Sequence, residues 1–277
     1  QPGNVQLAGN VVQLDATGTM GIDPATSIQS RSLGLGGQRI AVGAGASDTL
    51  AGNTLSLSGN LLTQVNQSQR LQLRAYQGID LYRDVTLGSS GMTKITLDTP
   101  QLRGVGTADQ VATVKAREVV LTNTTGRDAG TETGSSQVRI EAAPVMQDGR
   151  TGGLTVARSA STDVAQAVNG QQLAFVKTVL DSRGDIVFEG RGKLKAQGDL
   201  ELSAARVTAS GDASQAVESG GVLSVTQREG SATLGESKGA GGSLALQGTR
   251  VEQRGVIDIE SGTVSIAGTG VAGRNDT

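Results

Sequence analysis

The residues that most resemble a recognition motif are Arg183, Gly184 and Asp185, which spell the integrin-recognition tripeptide. Such recognition needs an exposed loop that presents a guanidinium and a carboxylate in opposite directions. The tripeptide directly precedes an apolar alternation at 186–188, so the sequence places it at a corner before a strand. Arg, Gly and Asp are also common corner residues, and for so short a motif an ordinary turn is the more frequent explanation.

Acid–base chemistry would have to come from carboxylates, Lys and Tyr, because the sequence contains no His and no Cys. A Ser–His–Asp triad, a thiol nucleophile, a disulfide and a Cys or His metal site are therefore excluded. The acidic candidates are Asp181 with Asp185 and Asp199 with Glu201, which a polysaccharide lyase or glycosidase would use. Their spacing does not distinguish them from solvated coil residues. The sequence predicts a non-catalytic protein with no cofactor and no metal site.

Three further polar segments are interpreted as turns. Residues 43–50 resemble a calcium-binding nonapeptide repeat only faintly, because the Asp spacing is one residue too long and no tandem copy follows. Asn66 and Asn123 each begin an Asn-x-Ser/Thr sequence. A flexible corner at 43–50 and ordinary polar turns at the two asparagines are the preferred interpretations.

The elements that would position these residues are short strands. Apolar–x–apolar alternations bounded by Gly, Asn, Asp or Ser recur along the chain, as at Leu71/Leu73, Ile95/Leu97 and 200–202. A period of two indicates strands with one buried face. The 41 Gly residues suit sharp corners, and the two Tyr, two Phe and absent Trp suit a narrow core.

The spacing of these strands predicts a repeat architecture. Residues 198–211 and 242–255 share the same internal spacing at an offset of 44 residues, and the alternations recur about every 21 residues. We therefore predict an all-β fold, a right-handed parallel β-helix with coils of about 21 residues and projecting loops. We expect one β-helical domain over 1–277, with an irregular insertion as an option at 159–181 and a short helix as an option at 162–168.

The charge and hydropathy of the chain limit its partners. The net charge of −2 argues against nucleic-acid binding as a main task. No window approaches the roughly 18 apolar residues of a membrane span. We predict neither a nucleic-acid partner nor a membrane span.

Two stretches carry a family resemblance, residues 52–61 (GNTLSLSGNL) and residues 198–211 (GDLELSAARVTASG). They resemble the repeats of filamentous haemagglutinin-like large exoproteins, the secreted partners of two-partner secretion systems, a group that includes contact-dependent inhibition toxins. The pattern extends over most of the chain, and autotransporter passengers share it. The secretion domain at such a protein's N-terminus is not recognisable, so the chain is interpreted as a fragment of a longer exoprotein.

This resemblance implies a virulence-associated protein secreted to the cell surface of a Gram-negative bacterium through an outer-membrane transporter partner. The absence of Cys agrees with export in an unfolded state. The implied function is that of a non-catalytic stalk or adhesin segment, whose partner is a receptor or glycan on a host or bacterial surface. The alternatives are a carbohydrate-active β-helix, lyase or hydrolase, and an autotransporter passenger segment.

Overall fold

The protein consists almost entirely of β-strands joined by tight corners. The computed structural model describes residues 5–23, 25–143, 153–159, 170–230 and 239–270. One helix lies among these residues, α1 (Gly59–Asn66). The strands in chain order are β1 (Gln6–Asp15), β2 (Ser27–Val42), β3 (Thr54–Leu57), β4 (Arg70–Tyr82), β5 (Thr86–Gly88), β6 (Lys94–Asp98), β7 (Gln101–Val105), β8 (Val111–Ala116), β9 (Glu118–Asn123), β10 (Gln137–Ala142), β11 (Leu154–Ser159), β12 (Gln171–Ala174), β13 (Lys177–Ser182), β14 (Asp185–Phe188), β15 (Arg191–Ala196), β16 (Asp199–Ala204), β17 (Arg206–Ala209), β18 (Ser214–Ser219), β19 (Val222–Gln227), β20 (Ser243–Gly248), β21 (Arg250–Gln253) and β22 (Thr263–Gly268).

The strands pair in parallel and form three faces of a coil stack. Face 1 contains the first half of β4 followed by β6, β9, β11, β14 and β17. Face 2 contains the second half of β4 followed by β7, β12, β15, β18, β20 and β22. Face 3 contains β5, β8, β10, β13, β16, β19 and β21. Since consecutive strands such as β6, β7 and β8 occupy successive faces, the chain winds as a parallel β-helix, as predicted.

The coil length agrees with the predicted repeat. In-register partners on neighbouring coils are separated by 21 residues at Asp185 and Arg206. The separation is 24 residues at Lys94 and Glu118. Longer coils carry insertions. On face 2, β7 pairs directly with β12 although a complete coil lies between them in sequence. Residues 124–135 of that coil form no strand and lie on the outer surface of face 2; we call them the strap.

The interior is built from vertical stacks of aliphatic side chains. On face 3, one stack contains Val114, Ile140, Leu180, Leu202 and Val225, which are in register and fully buried. Burying such a side chain contributes about 1.5–3 kcal/mol, and each coil needs its neighbours to complete that burial. The stacks therefore both stabilise the helix and set its register.

The two interior phenylalanines occupy places where the chain leaves room for them. Phe175 and Phe188 are fully buried. A Cβ atom on Gly104 would lie 2.6 Å from Cδ1 of Phe175, so this glycine provides the space for the ring. The ring thus fills the interior behind β7, which pairs directly with β12 on face 2.

Helix α1 covers the first strand of face 3. The Asn66 amide donates from Nδ2 to the Thr86 carbonyl at 3.1 Å and accepts the Gly88 N–H at 2.7 Å. Gln64 binds the start of β2 in the same way, donating to the Thr26 carbonyl at 3.2 Å. These side-chain amides replace a missing strand at the edges of β5 and β2, so α1 acts as a cap.

No helix in the described ranges has the length and apolar character needed to span a membrane.

The structure modifies two predictions. The similar segments at 198–211 and 242–255 lie on different faces, because β16 and β17 belong to faces 3 and 1 whereas β20 and β21 belong to faces 2 and 3. What repeats is a strand–corner–strand unit rather than a pair of complete coils. Within the optional irregular insertion at 159–181, residues 171–174 form β12 and residues 177–181 belong to β13. Residues 160–169, including the helix option at 162–168, lie outside the described residues.

Candidate functional site

The predicted tripeptide lies at the corner between β13 and β14, but its two charges have different surroundings. Arg183 is exposed and Gly184 is buried. The Asp185 carboxylate accepts a hydrogen bond from Nη2 of Arg206 at 2.6 Å, and the two side chains are only 10% and 7% exposed. Integrin-type recognition needs both charges presented to solvent, and in this arrangement only Arg183 is presented. Binding by the tripeptide stays an untested prediction.

Arg206 holds Asp185 in place electrostatically. Burial alone would lower the pKa of the Arg206 guanidinium, but hydrogen bonding and charge attraction from Asp185 and Asp258 raise it overall. Asp258 lies 3.3 Å away through Nη1. The guanidinium therefore stays charged and joins two neighbouring coils on face 1.

The four predicted acidic candidates do not form one catalytic site. Asp181 is on face 3, is 2% exposed and is paired with Arg139 and Arg228, whereas Asp185 is on face 1. Asp199 and Glu201 share the outer side of β16, and Asp199 accepts the Val222 N–H at 2.8 Å. Glu201 lies 3.9 Å from the ammonium of Lys177. Their carboxylates are engaged in structural contacts with neighbouring coils.

The loop at 43–50 is stabilised by an ion pair. Asp48 accepts hydrogen bonds from Arg83 at 2.6 and 2.8 Å and from the Gly45 N–H at 2.7 Å. The Arg83 hydrogen bonds, followed by that of Gly45, lower the pKa of the Asp48 carboxyl. Within the described ranges, no group of three or more acidic residues is placed to hold a metal ion. The geometry thus fits the corner interpretation of this loop.

The two asparagines of the Asn-x-Ser/Thr sequences are structural. Asn123 is fully buried and donates to the carbonyls of Arg127 at 2.8 Å and Gly170 at 3.0 Å. Asn66 caps β5, as described above. Asn66 is the last residue of α1 and Asn123 is the last residue of β9, so each asparagine ends a regular element and does not lie in the polar turn that was predicted.

A groove runs across the outer side of face 2 near the start of β15. Its volume is about 690 Å³. Small and hydroxyl side chains on three successive strands form its floor, and exposed Arg191 stands at one edge. The outward residues are Ser214, Ala216, Ser243, Ala245, Thr263 and Ser265. No carboxylate of the described residues lines this groove, so the part of its surface that the structure describes offers hydroxyl groups and one cation.

A second polar site lies beneath the strap. Asp80 on β4 is 2% exposed and accepts two hydrogen bonds each from Arg39 on β2, at 3.0 and 3.1 Å, and Arg103 on β7, at 2.8 and 2.9 Å. Glu132 of the strap binds the same arginines, with Oε2 2.6 Å from Nη2 of Arg39 and Oε1 3.5 Å from Nη1 of Arg103. Burial would lower the pKa of Arg39, but Asp80 and Glu132 outweigh it and raise that pKa. We call Arg39, Asp80 and Arg103 the arginine clamp.

Neither the arginine clamp nor Glu132 was predicted from the sequence, because Arg39 and Glu132 are 93 residues apart and belong to no motif. One feature of the sequence could have indicated the pairing of Asp80 with Arg103. Asp80 is the outward residue between Ile79 and Leu81, and Arg103 follows it by 23 residues, one coil later. Combining outward positions with the coil length would have paired these two charges.

Comparison with known protein families, curated proteins and solved structures finds no match to this chain. The fold and the two surface sites of face 2 are therefore the basis for a function.

Proposed function

We propose that this chain is a non-catalytic stalk or adhesive segment of a secreted bacterial surface protein. The observation that carries the proposal is the stack of coils, in which outer charges are paired from one coil to the next. Lys94 binds Glu118 at 2.6 Å, Lys115 binds Glu141 at 3.1 Å, and Arg206 binds Asp185. Such pairing supports a rod whose long faces are available as a display or contact surface.

The surface chemistry supports a binding role more than catalysis. Asp80 and Asp181 are each 2% exposed, and both are paired with two arginines. A lyase or glycosidase needs carboxylates that reach the substrate, with one of them able to carry a proton. The open groove of face 2 presents hydroxyl groups instead. The carbohydrate-active alternative is less well supported, because the acidic residues predicted for it are held in contacts with neighbouring coils.

The proposal is tested with variants that fill the groove. Ala245→Arg places a long side chain on the groove floor, and Ser224→Arg adds the same charge to the outer side of face 3 as a matched control. The purified proteins are immobilised, and adhesion of epithelial or bacterial cells is measured. We expect the parent chain and Ser224→Arg to retain cells and Ala245→Arg to lose most adhesion.

The same experiment distinguishes the alternatives. Equal adhesion by the parent, both variants and an uncoated surface would refute an adhesive role. Release of unsaturated or reducing ends from polysaccharides by the parent chain would replace the stalk proposal with the carbohydrate-active one. Because Arg183 is exposed, Arg183→Ala should keep the fold, and a selective loss of adhesion to cells with integrins would implicate the tripeptide.

A further inference from the structure

The strap is held on face 2 by contacts to its main chain as well as to Glu132. Gln101, which is 1% exposed, donates from Nε2 to the Glu132 carbonyl at 2.5 Å. The Gln197 amide accepts the Gly134 N–H at 2.7 Å and donates to the Gly134 carbonyl at 3.0 Å. Two glutamine side chains of the coil stack therefore bind a peptide backbone at positions two residues apart.

The carboxylate position is equally well defined. Both oxygens of Glu132 face arginines, and Asp80 fixes those arginines from the buried side. The arginine clamp by itself has a net charge of +1, from two guanidinium groups and one carboxylate. A second carboxylate restores neutrality, so the clamp is complementary to one negative charge from outside the sheet.

Two glycines limit which peptides fit this surface. A Cβ atom on Gly130 would overlap the Gln101 amide, and a Cβ atom on Gly134 would overlap the Ala174 carbonyl. The strap sequence between them is Thr131, Glu132 and Thr133. The surface is therefore shaped for a Gly-x-Glu-x-Gly segment, in which the glycines allow close approach and the glutamate enters the clamp.

We propose that the arginine clamp, Gln101 and Gln197 form a binding site for an acidic peptide segment of another protein, and that residues 130–134 occupy this site as an internal stand-in. An acidic peptide is favoured over a sugar acid because the site binds backbone groups as well as a carboxylate. This site lies at the opposite end of β15 from the groove and does not depend on the proposed adhesive function.

The tethered strap competes strongly with any external ligand. An intramolecular segment acts at an effective concentration in the millimolar range, so a peptide of similar affinity would bind the parent chain weakly. Glu132 is 44% exposed, which makes its ion pairs the accessible part of the contact. Weakening the strap should therefore expose the site while leaving the coils intact.

The test uses the full chain carrying Gly130→Ala and Glu132→Ala. The first substitution lifts the centre of the strap, and the second removes its carboxylate. The probe is a fluorescently labelled, acetylated and amidated GTETG peptide, and binding is measured by anisotropy. We expect this variant to bind the peptide about tenfold or more tightly than the parent chain, because the internal competitor is weakened.

Three comparisons make the result decisive. A GTQTG peptide should bind the double variant at least tenfold more weakly, because it lacks the carboxylate. Adding Arg103→Met should abolish binding, whereas adding Arg191→Met, which removes the same charge from an exposed position on β15, should not. Equal binding of the two peptides, equal effects of the two arginine substitutions, or tighter binding of glucuronate than of GTETG would overturn the proposal. The peptide comparison uses one protein, so it stands even where Arg103→Met fails to fold.

Discussion

Replacing Leu202 with Ala should destabilise the coil stack by several kilocalories per mole. Leu202 is fully buried between Leu180 and Val225 of the neighbouring coils. The substitution removes three carbon atoms, for which the transfer cost alone is about 2.4 kcal/mol at roughly 0.8 kcal/mol each. Hydrogen bonds between coils fix the spacing of the stack, so the cavity cannot close, and we expect a total of about 3–4 kcal/mol.

The assay is equilibrium urea unfolding followed by circular dichroism, with Glu201→Ala as the matched control. Glu201 is the adjacent outward residue, and its nearest cation is Lys177 at 3.9 Å. Because this ion pair is exposed, its loss should lower the free energy of unfolding by less than about 1 kcal/mol. Leu202→Asp should lower the free energy of unfolding more than Leu202→Ala does, because it places a charge in the apolar stack. Amide hydrogen exchange should also become faster in several coils around residue 202.

An equal decrease in the free energy of unfolding for Leu202→Ala and Glu201→Ala would refute this prediction. That result would mean that residue 202 does not face the interior. The prediction would also be refuted if Leu202→Asp unfolded at the same urea midpoint as the parent chain, since no stacked interior tolerates an unpaired carboxylate at that position.

Three further predictions concern polar contacts. Asp185→Asn should lower the free energy of unfolding by about 3 kcal/mol, because it leaves the buried Arg206 with a weaker partner, and urea unfolding measures the loss. Asn66→Ala should accelerate hydrogen exchange at the β5 amides, and parent-like exchange there would contradict the capping role of α1. Asp48 has a lowered pKa in the folded state, so its pairing with Arg83 stabilises the loop above the unfolded pKa of about 3.9 and is lost as the pH falls through the folded value. Proteolysis of the 43–50 loop should therefore increase below about pH 4, and Asp48→Asn should be cleaved at a rate independent of pH in that range.

The sequence was sufficient to predict the strands and their stacking. Alternations such as Ile95/Leu97 and Leu200/Leu202 place their apolar residues in the interior, as expected from a period of two. The alternation predicts the buried positions because the narrow interior accommodates mainly aliphatic side chains, and these come from every second residue of a strand. The coil length followed from the distance between these alternations.

The sequence could not assign strands to faces. Segments 198–211 and 242–255 have the same pattern because a one-residue corner, Ala205 or Thr249, joins two short strands in each. Such a corner fits between any two faces, so local pattern does not fix which faces are joined. The longer connections decide this, and their conformations depend on contacts between coils.

The helix and the contacts that hold the strap on face 2 were missed for related reasons. Leu61 and Val65 are spaced as on one side of a helix, but the preceding strand-like run at 54–57 suggested that the alternation continues. Glu132 lies in a polar stretch without apolar periodicity, and its partners Arg39 and Arg103 come from different coils. Contacts between residues so distant in sequence become visible only once the coils are assembled.

The parallel pairing between coils determines how such a molecule responds to mechanical force. Its backbone hydrogen bonds run along the long axis, so tension along that axis is carried in series by every boundary between adjacent coils, and the boundaries can open one after another. Rupture would begin at an end and proceed by peeling one winding after another, at a low and nearly constant force. Charge pairs that bridge windings, such as Lys94 with Glu118, lie in the same direction and raise the force needed at each step.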